Sequence, residues 1–210
     1  MESLIIFPKI ENELSFMKLN ESLKEDKVYN SKFSLEEYNK IKINAMEFNE
    51  CYFDNLKILN SNFYNIYFVD VIFNDCDFSN SNFELCSFIR CQFKNCKLLG
   101  SNFFNSSFQN VSFNGMLKYI NFANNKIQKV EFKKSILDEG RFLENKFSFI
   151  YFNECDMIRI EFVKCNLSNI DFTNDNVEGM IIDPKELKGA ILNNYQACMV
   201  ARMLGIVIEG

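Results

Sequence analysis

Residues Val71–Phe93 read VIFNDCDFSNSNFELCSFIRCQF, and their phenylalanines fall at 73, 78, 83, 88 and 93, one every fifth residue. Counting back by five from Phe73 meets Phe68, Phe63, Ile58, Phe53, Phe48 and Ile43. Counting forward from Phe93 meets Leu98, Phe103, Phe108 and Phe113. A single step of four, through Asn114, Gly115 and Met116, then lands on Leu117. The five-step resumes through Phe122, Ile127, Phe132, Leu137, Phe142, Phe147, Phe152, Met157, Phe162, Leu167, Phe172, Val177 and Ile182. All 29 of these centres are apolar and 19 are Phe. Neither the 3.6-residue period of a helix nor the 2-residue period of a strand produces such a run.

Two residues before each centre comes a second selected position, commonly small or aliphatic: Cys51, Ser61, Val71, Cys76, Ser81, Cys86, Cys91, Cys96, Ser101, Ser106 and Val111, then Ile150, Cys155, Ile160, Cys165 and Ile170. The residues between are mostly Asn, Asp, Ser, Lys and Glu. Two positions in five therefore point inward and three outward. A chain that turns a corner every five residues closes a square coil in about 20, and stacked coils lie a strand spacing apart, about 4.8 Å. Charges give an independent check, because residues 20 apart become vertical neighbours. Opposite charges stand at that separation in Lys57/Asp77, Asp77/Lys97, Asp70/Arg90, Lys118/Asp138, Lys134/Glu154, Glu139/Arg159, Arg141/Glu161 and Glu144/Lys164, and like charges only in Glu50/Asp70 and Lys126/Lys146. The spacing predicts an all-β solenoid over residues 41–182, with a hinge or kink at the register break Asn114, Gly115 and Met116, where glycine tolerates the backbone angles of a shortened corner.

The composition narrows function by exclusion. The 210 residues contain 24 Phe and no Trp, 8 Cys and no His, 7 Gly and 2 Pro. Without histidine there is no Ser-His-Asp or Cys-His pair and no histidine-ligated zinc. The net charge of −5 disfavours direct nucleic-acid binding through a broad basic surface. No apolar run reaches membrane-spanning length, and Met1–Pro8 has neither a basic start nor a long apolar stretch, so a soluble, cytoplasmic protein is expected. Seven cysteines, at 51, 76, 86, 91, 96, 155 and 165, occupy the small inward position and are expected as buried free thiols, although Cys76 and Cys96 stack one coil apart. The carboxylate pairs Asp75/Asp77 and Glu154/Asp156 flank inward residues on a convex rod with no pocket expected beside them. No catalytic residue, metal or cofactor is predicted.

Both ends depart from the repeat. Residues 1–40 read as an N-terminal cap with a short helix, Leu4–Phe7 as a candidate strand, and Phe33 already in the five-step register. Beyond residue 182, Asp183 caps a short helix that starts at Pro184 and ends at Gly189. A second helix, capped by Asn193 or Asn194, spans Tyr195–Leu204 with Ala197, Val200, Ala201 and Leu204 on one face, and Ile206–Ile208 read as a short strand. This tail, 183–210, is expected to self-associate through Tyr195, Met199, Val200, Met203, Leu204, Ile206, Val207 and Ile208. On the outward surface of the rod, Tyr64 and Phe104, with the acids Asp70, Asp75, Asp77 and Glu84, are candidate partner contacts.

The segments Ser61-Asn-Phe, Cys76-Asp-Phe-Ser, Ser81-Asn-Phe-Glu and Cys165-Asn-Leu-Ser resemble the pentapeptide-repeat motif. The resemblance implies a right-handed quadrilateral β-helix of about seven coils, some 35 Å long. Within that group, Ile182-Asp-Pro-Lys-Glu-Leu-Lys-Gly, the ending Ala201-Arg-Met-Leu-Gly-Ile-Val-Ile208 and the start Ile5-Ile-Phe-Pro8 resemble the Qnr-like topoisomerase-protection proteins of bacteria. What this implies is a homodimer, joined tail to tail, that mimics a DNA duplex, engages DNA gyrase or topoisomerase IV and protects it from fluoroquinolones or natural gyrase poisons. A structural or adaptor rod with another protein partner is the alternative. Residues 41–115 hold 7 acidic and 5 basic side chains and residues 116–182 hold 10 and 9, so any DNA-like field must come from local acidic stripes.

Overall fold

The computed structural model describes residues 5–10 and 13–209. The chain winds into a parallel β-solenoid whose successive coils pair in register. One ladder runs through Lys42–Asn44, Asn62–Tyr64, Asn82–Glu84, Asn102–Phe104, Asn121–Ala123, Arg141–Leu143 and Glu161–Val163. Longer strands that bend over a corner, Tyr67–Asn74, Ser87–Lys97, Ser107–Met116, Lys126–Lys133 and Lys146–Asn153, supply two further sides. The fourth side is carried by bridges such as Lys57 to Asp77 to Lys97 and Met116 to Ile136 to Asp156.

The sequence builds this shape from the corner residue and the centre. From Val28 to Leu167 the residue two after a centre adopts the left-handed conformation, Gly115 at the register break apart, from Asn30 at φ 49° through Asn80 at 56° to Asn169 at 65°. Asn and Asp tolerate that region better than most residues, which accounts for their abundance between the phenylalanines. Of the predicted centres, all but Phe147 and Ile182 are buried, and those two pack half-buried against the core. Their rings stack in columns: Phe63, Phe83 and Phe103 follow one another at 4.4 and 4.7 Å, and Phe73, Phe93 and Phe113 at 4.5 and 4.6 Å. Rings of adjacent columns meet edge-on, as Phe73 does with Phe78 at 85°. Column spacing therefore matches ladder spacing, so one ring per coil fills the tube without gaps.

The solenoid reaches further toward the N-terminus than residue 41. Lys27–Tyr29 pair with Glu47–Asn49, Lys32–Ser34 with Tyr52–Asp54, and Glu37–Asn39 with Lys57–Leu59. Val28 and Phe33 fill the centre positions there, so the register that Phe33 already keeps belongs to a full earlier coil. The short helix expected in this region is α1, Leu19–Ser22. Ile5–Phe7 form no strand, and Leu4 lies outside the described residues. Instead the segment runs along a corner of the solenoid, with Ile6 N–H donating to Asn110 Oδ1 at 3.2 Å and Lys9 N–H to Asp70 Oδ1 at 2.9 Å.

At the register break the coil offset falls to 19 residues, with Cys96 opposite Gly115 and Phe103 opposite Phe122, and returns to 20 at Asn121 opposite Arg141. Gly115 serves as both the corner and the small inward residue, at φ 146°. A Cβ there would lie 2.0 Å from the Cys96 carbonyl oxygen. The ring columns pass through: Phe93, Phe113 and Phe132 stack at 4.6 and 4.9 Å with interplanar angles of 11° and 9°.

The sequence after Ile182 caps as its local signals predict. Asp183 accepts from Lys185 N–H before a 3-10 turn at Pro184–Leu187. Helix α2, Asn194–Met203, is capped by Asn193, whose side chain accepts from Gln196 N–H while Gln196 Oε1 accepts from Asn193 N–H. It ends in a Schellman pair, Ile206 N–H to Ala201 O and Gly205 N–H to Arg202 O, with Gly205 at φ 79°. Two details of the tail differ from the sequence reading. The face of α2 turned to the solenoid carries buried Gln196 and half-buried Val200, whereas Ala197 and Leu204 are exposed. Ile206–Ile208 form no strand.

Candidate interaction surfaces

The outward residues singled out from the sequence fall into three places. Tyr64, Glu84 and Phe104 stand in one vertical column, register partners on successive coils, with Tyr64 45% exposed. Beside them Asn62, Asn82 and Asn102 form a side-chain ladder, each Nδ2 donating to the Oδ1 below at 2.9 and 2.8 Å. This side of the rod therefore presents a strip of amides next to a column in which the Glu84 carboxylate separates two rings.

The acids do not form a stripe. Asp70 is buried at a corner, where its carboxylate accepts from Arg90 Nε at 2.7 Å and from Lys9 N–H, so the N-terminal segment covers it. The Arg90 guanidinium is held above its ordinary value chiefly by the hydrogen bonds to Asp70. Asp75 accepts from the amides of Asn95 and Asn74. Asp77 sits between Lys57 and Lys97 in its column and accepts from Ser79 N–H at 3.0 Å. Lys57 takes Glu37, not Asp77, as its ion-pair partner. Six of the eight opposite-charge pairs read from the sequence do close as ion pairs: Arg90/Asp70, Lys118/Asp138, Lys134/Glu154, Arg141/Glu161, Arg159/Glu139 and Lys164/Glu144. Most are solvent-facing and contribute little to stability. Their effect on recognition is larger, since each of these six acids is answered by a base one coil away, which balances the field locally at those columns.

The tail exposes a group of large apolar side chains. Tyr195 is 66% exposed and Val207 84%, and Met203, Leu204, Ile206 and Ile208 are exposed beside them. Met199 and Val200 are half-buried. Beneath the tail, an open hollow of about 550 Å³ is lined by Lys164, Lys185, Lys188 and Gly189, and Glu186 bridges it by accepting from Lys164 N–H at 2.8 Å. Among the described residues no three His, Cys, Asp or Glu side chains group as a metal site, and no helix is long and apolar enough to cross a membrane.

The seven inward cysteines are free thiols, and each donates to the carbonyl of a centre one coil earlier, as Cys91 Sγ does to Phe68 O at 3.4 Å. Burial pushes the thiols of Cys86 and Cys91 up to about 12 and those of Cys51 and Cys155 up to about 11. They are structural. Sequence reasoning missed the N-terminal segment over Asp70 and Asn110 and the plugging role of Gln196. The Asn193/Gln196 spacing of a capping box was the one available signal for the latter.

The coil agrees with what is known of related chains. Residues 66–142 match the family model described as a pentapeptide repeat region, and residues 47–84 match the model of pentapeptide repeats in eight copies. Pentapeptide repeats thus run through residues 47–142 of this chain. Among solved structures it is similar to a trypsin-treated form of QnrB1, a plasmid-mediated fluoroquinolone resistance protein, at 26% identity over 88% of this chain and 92% of that one, with a TM-score of 0.44. Full-length QnrB1 aligns at 20% identity over 81% and 100%, TM-score 0.35. HetL, a pentapeptide repeat protein involved in heterocyst differentiation regulation from the cyanobacterium Nostoc, aligns at 10% identity over 79% and 86%, TM-score 0.32. No protein of curated function matches the chain.

Proposed function

We propose that this protein binds a type II topoisomerase, DNA gyrase or topoisomerase IV, as a tail-to-tail homodimer in the cytoplasm and protects it from fluoroquinolones or natural gyrase poisons. The observation that carries the reading is the tail: a 3-10 turn and a capped helix close the solenoid and leave Met203, Leu204 and Ile206–Ile208 exposed at its end. That arrangement fits the dimerising tail implied by the resemblance of Ile182–Gly189 and Ala201–Ile208 to the Qnr-like group. Two rods end to end measure about 70 Å, the length of about 20 base pairs. The balanced ion-pair columns mean that likeness to DNA rests on the shape of the rod and on its amide and aromatic strip, not on a dense negative field. Purified protein is expected to alter gyrase supercoiling and to reduce fluoroquinolone-induced cleavage; no effect at micromolar dimer rejects the proposal.

The same charge balance favours a second reading, an adaptor rod whose partner is another protein. Capture from the native cytoplasm distinguishes the two, with topoisomerase subunits expected for the first and their absence for the second.

A further inference from the structure

On one side of the square the small inward residues, Gly115 at the register break apart, form a column of side-chain donors. Cys76, Cys96, Ser135 and Cys155 donate to the carbonyls of Phe53, Phe73, Phe113 and Phe132, each on the coil beneath. At the top of the same column Gln196, reaching in from α2, donates to the carbonyl of Phe172. Asp175 stands between Cys155 and Gln196, and the acceptor that falls to it by the same stagger is the Phe152 carbonyl. A carboxylate has no proton to offer. Asp175 is 7% exposed; its Oδ1 accepts from Cys155 N–H at 2.7 Å, and its Oδ2 is buried without a hydrogen-bond partner. Asn145 shows what the position requires. Its Oδ1 accepts from Asn125 N–H at 2.9 Å while its Nδ2 donates to the Phe122 carbonyl at 2.8 Å, so an N–H₂ stands where Asp175 has its idle oxygen.

We propose that Asp175 is a proton-operated latch on the C-terminal end of the solenoid. Protonated, its hydroxyl donates to the Phe152 carbonyl and completes the donor column. Ionised, two acceptors face each other in a dry interior, and the final coil loosens. The helix loosens with it, because Gln196 Nε2 ties α2 to the Asp175 carbonyl at 2.9 Å and to that of Phe172 at 2.7 Å. The acidic and thiol groups around Asp175 are Asp171 on its own coil and Cys155 with its neighbour Asp156 on the coil beneath, while α2 presents the uncharged Gln196. Burial raises the Asp175 carboxyl from 3.8 to about 6, the Asp171 charge adds to the rise and the Cys155 N–H bond opposes it. The sign follows: the folded chain holds this proton where the opened chain releases it, so the latch is closed below pH 4, weakens as pH rises toward 6, and stays weak above it. The proposal is independent of any topoisomerase partner.

Amide exchange over residues 190–204, corrected for the chemical exchange rate, reads the latch directly. In the full-length protein the opening constant of α2 is expected to rise about a hundredfold between pH 4 and pH 7, about tenfold for each pH unit that separates the closed carboxyl from the opened one. Asp175→Asn supplies the missing donor and is expected to give low, pH-independent opening across that range. Asp171→Asn is expected to keep the dependence with a lower midpoint. A flat wild-type profile, or an Asp175→Asn profile that keeps the wild-type slope, overturns the proposal. Direct NMR titration of the Asp175 carboxyl in the unmodified chain provides a check without mutation: a midpoint near 6 supports the latch, and one near 4 overturns it.

Discussion

At the scale of single residues, the inward positions are set by van der Waals space and, at Cys and Ser, by a donor to the carbonyl of the coil beneath. Gly115 has no tolerance for a side chain, because a Cβ meets the Cys96 backbone and φ is 146°. Gly115→Ala is expected to destabilise the fold by roughly 3 kcal/mol or more, measured by chemical denaturation; a change below about 1 kcal/mol contradicts this account of the shortened corner. The thiols make a second prediction. Seven are buried, whereas Cys198 is half-exposed on α2. Alkylation of the native protein at pH 8 is expected to label Cys198 alone, and labelling of Cys91 before unfolding contradicts the packing described. The raised thiols also fix an alkaline limit. The folded chain keeps protons that the unfolded chain loses, so stability is expected to fall as pH rises above 9 toward 12. The centres were legible in the sequence because a tube of fixed width admits one ring per side, which keeps the five-residue period through all but the one step at Gly115. The corner conformation was less so: Leu85, Arg90 and Phe149 adopt the left-handed region as fully as Asn80 does, at φ 55°, 50° and 63°. Tertiary stacking, not local preference, holds them there.

At the scale of elements, the two ends differ in what they contribute. The N-terminal segment hydrogen-bonds to side chains that the coil itself leaves at its corner, Asp70 and Asn110. No periodicity announces a contact between Ile6 and Asn110, which are held together only by the winding of the chain. For the same reason Asp70 read as a surface acid in the sequence and is buried in the structure. At the other end, local signals were enough for Asp183, Pro184 and Gly205, whose capping chemistry acts within a few residues. The direction in which α2 faces was not available locally, since it is decided by where the Phe172 and Asp175 carbonyls lie. Gln196→Ala removes the side-chain donor from both buried carbonyls, leaving Phe172 O only the Asp175 N–H, and is expected to cost about 1–3 kcal/mol in the terminal coil. Amide exchange over 170–204 should accelerate while exchange over 60–110 stays unchanged; acceleration throughout contradicts the plug.

At the scale of the whole molecule, the rod behaves as a stack in which each coil contacts its neighbours. Phe83 sits mid-column between Phe63 and Phe103. Phe83→Ala is expected to cost about 3–5 kcal/mol in a denaturation midpoint, more than a ring such as Phe172 in the last column position, beneath α2. The outer surface carries no comparable signal, because outward positions are constrained only by neighbours 20 residues away, as Arg141/Glu161 and Lys118/Asp138 are. That is why the sequence displays the fold so openly and the partner so little. The partner reading rests on the tail, with the column of Tyr64, Glu84 and Phe104 as a candidate contact. The most direct measurement is fluoroquinolone-stabilised DNA cleavage by gyrase, titrated with the full-length protein and with its Val207→Glu variant. Loss of linearised DNA at micromolar wild-type dimer, with protection weakened in Val207→Glu, is the predicted result. Cleavage unchanged by either protein, at concentrations where the wild type sediments as a dimer, contradicts the account.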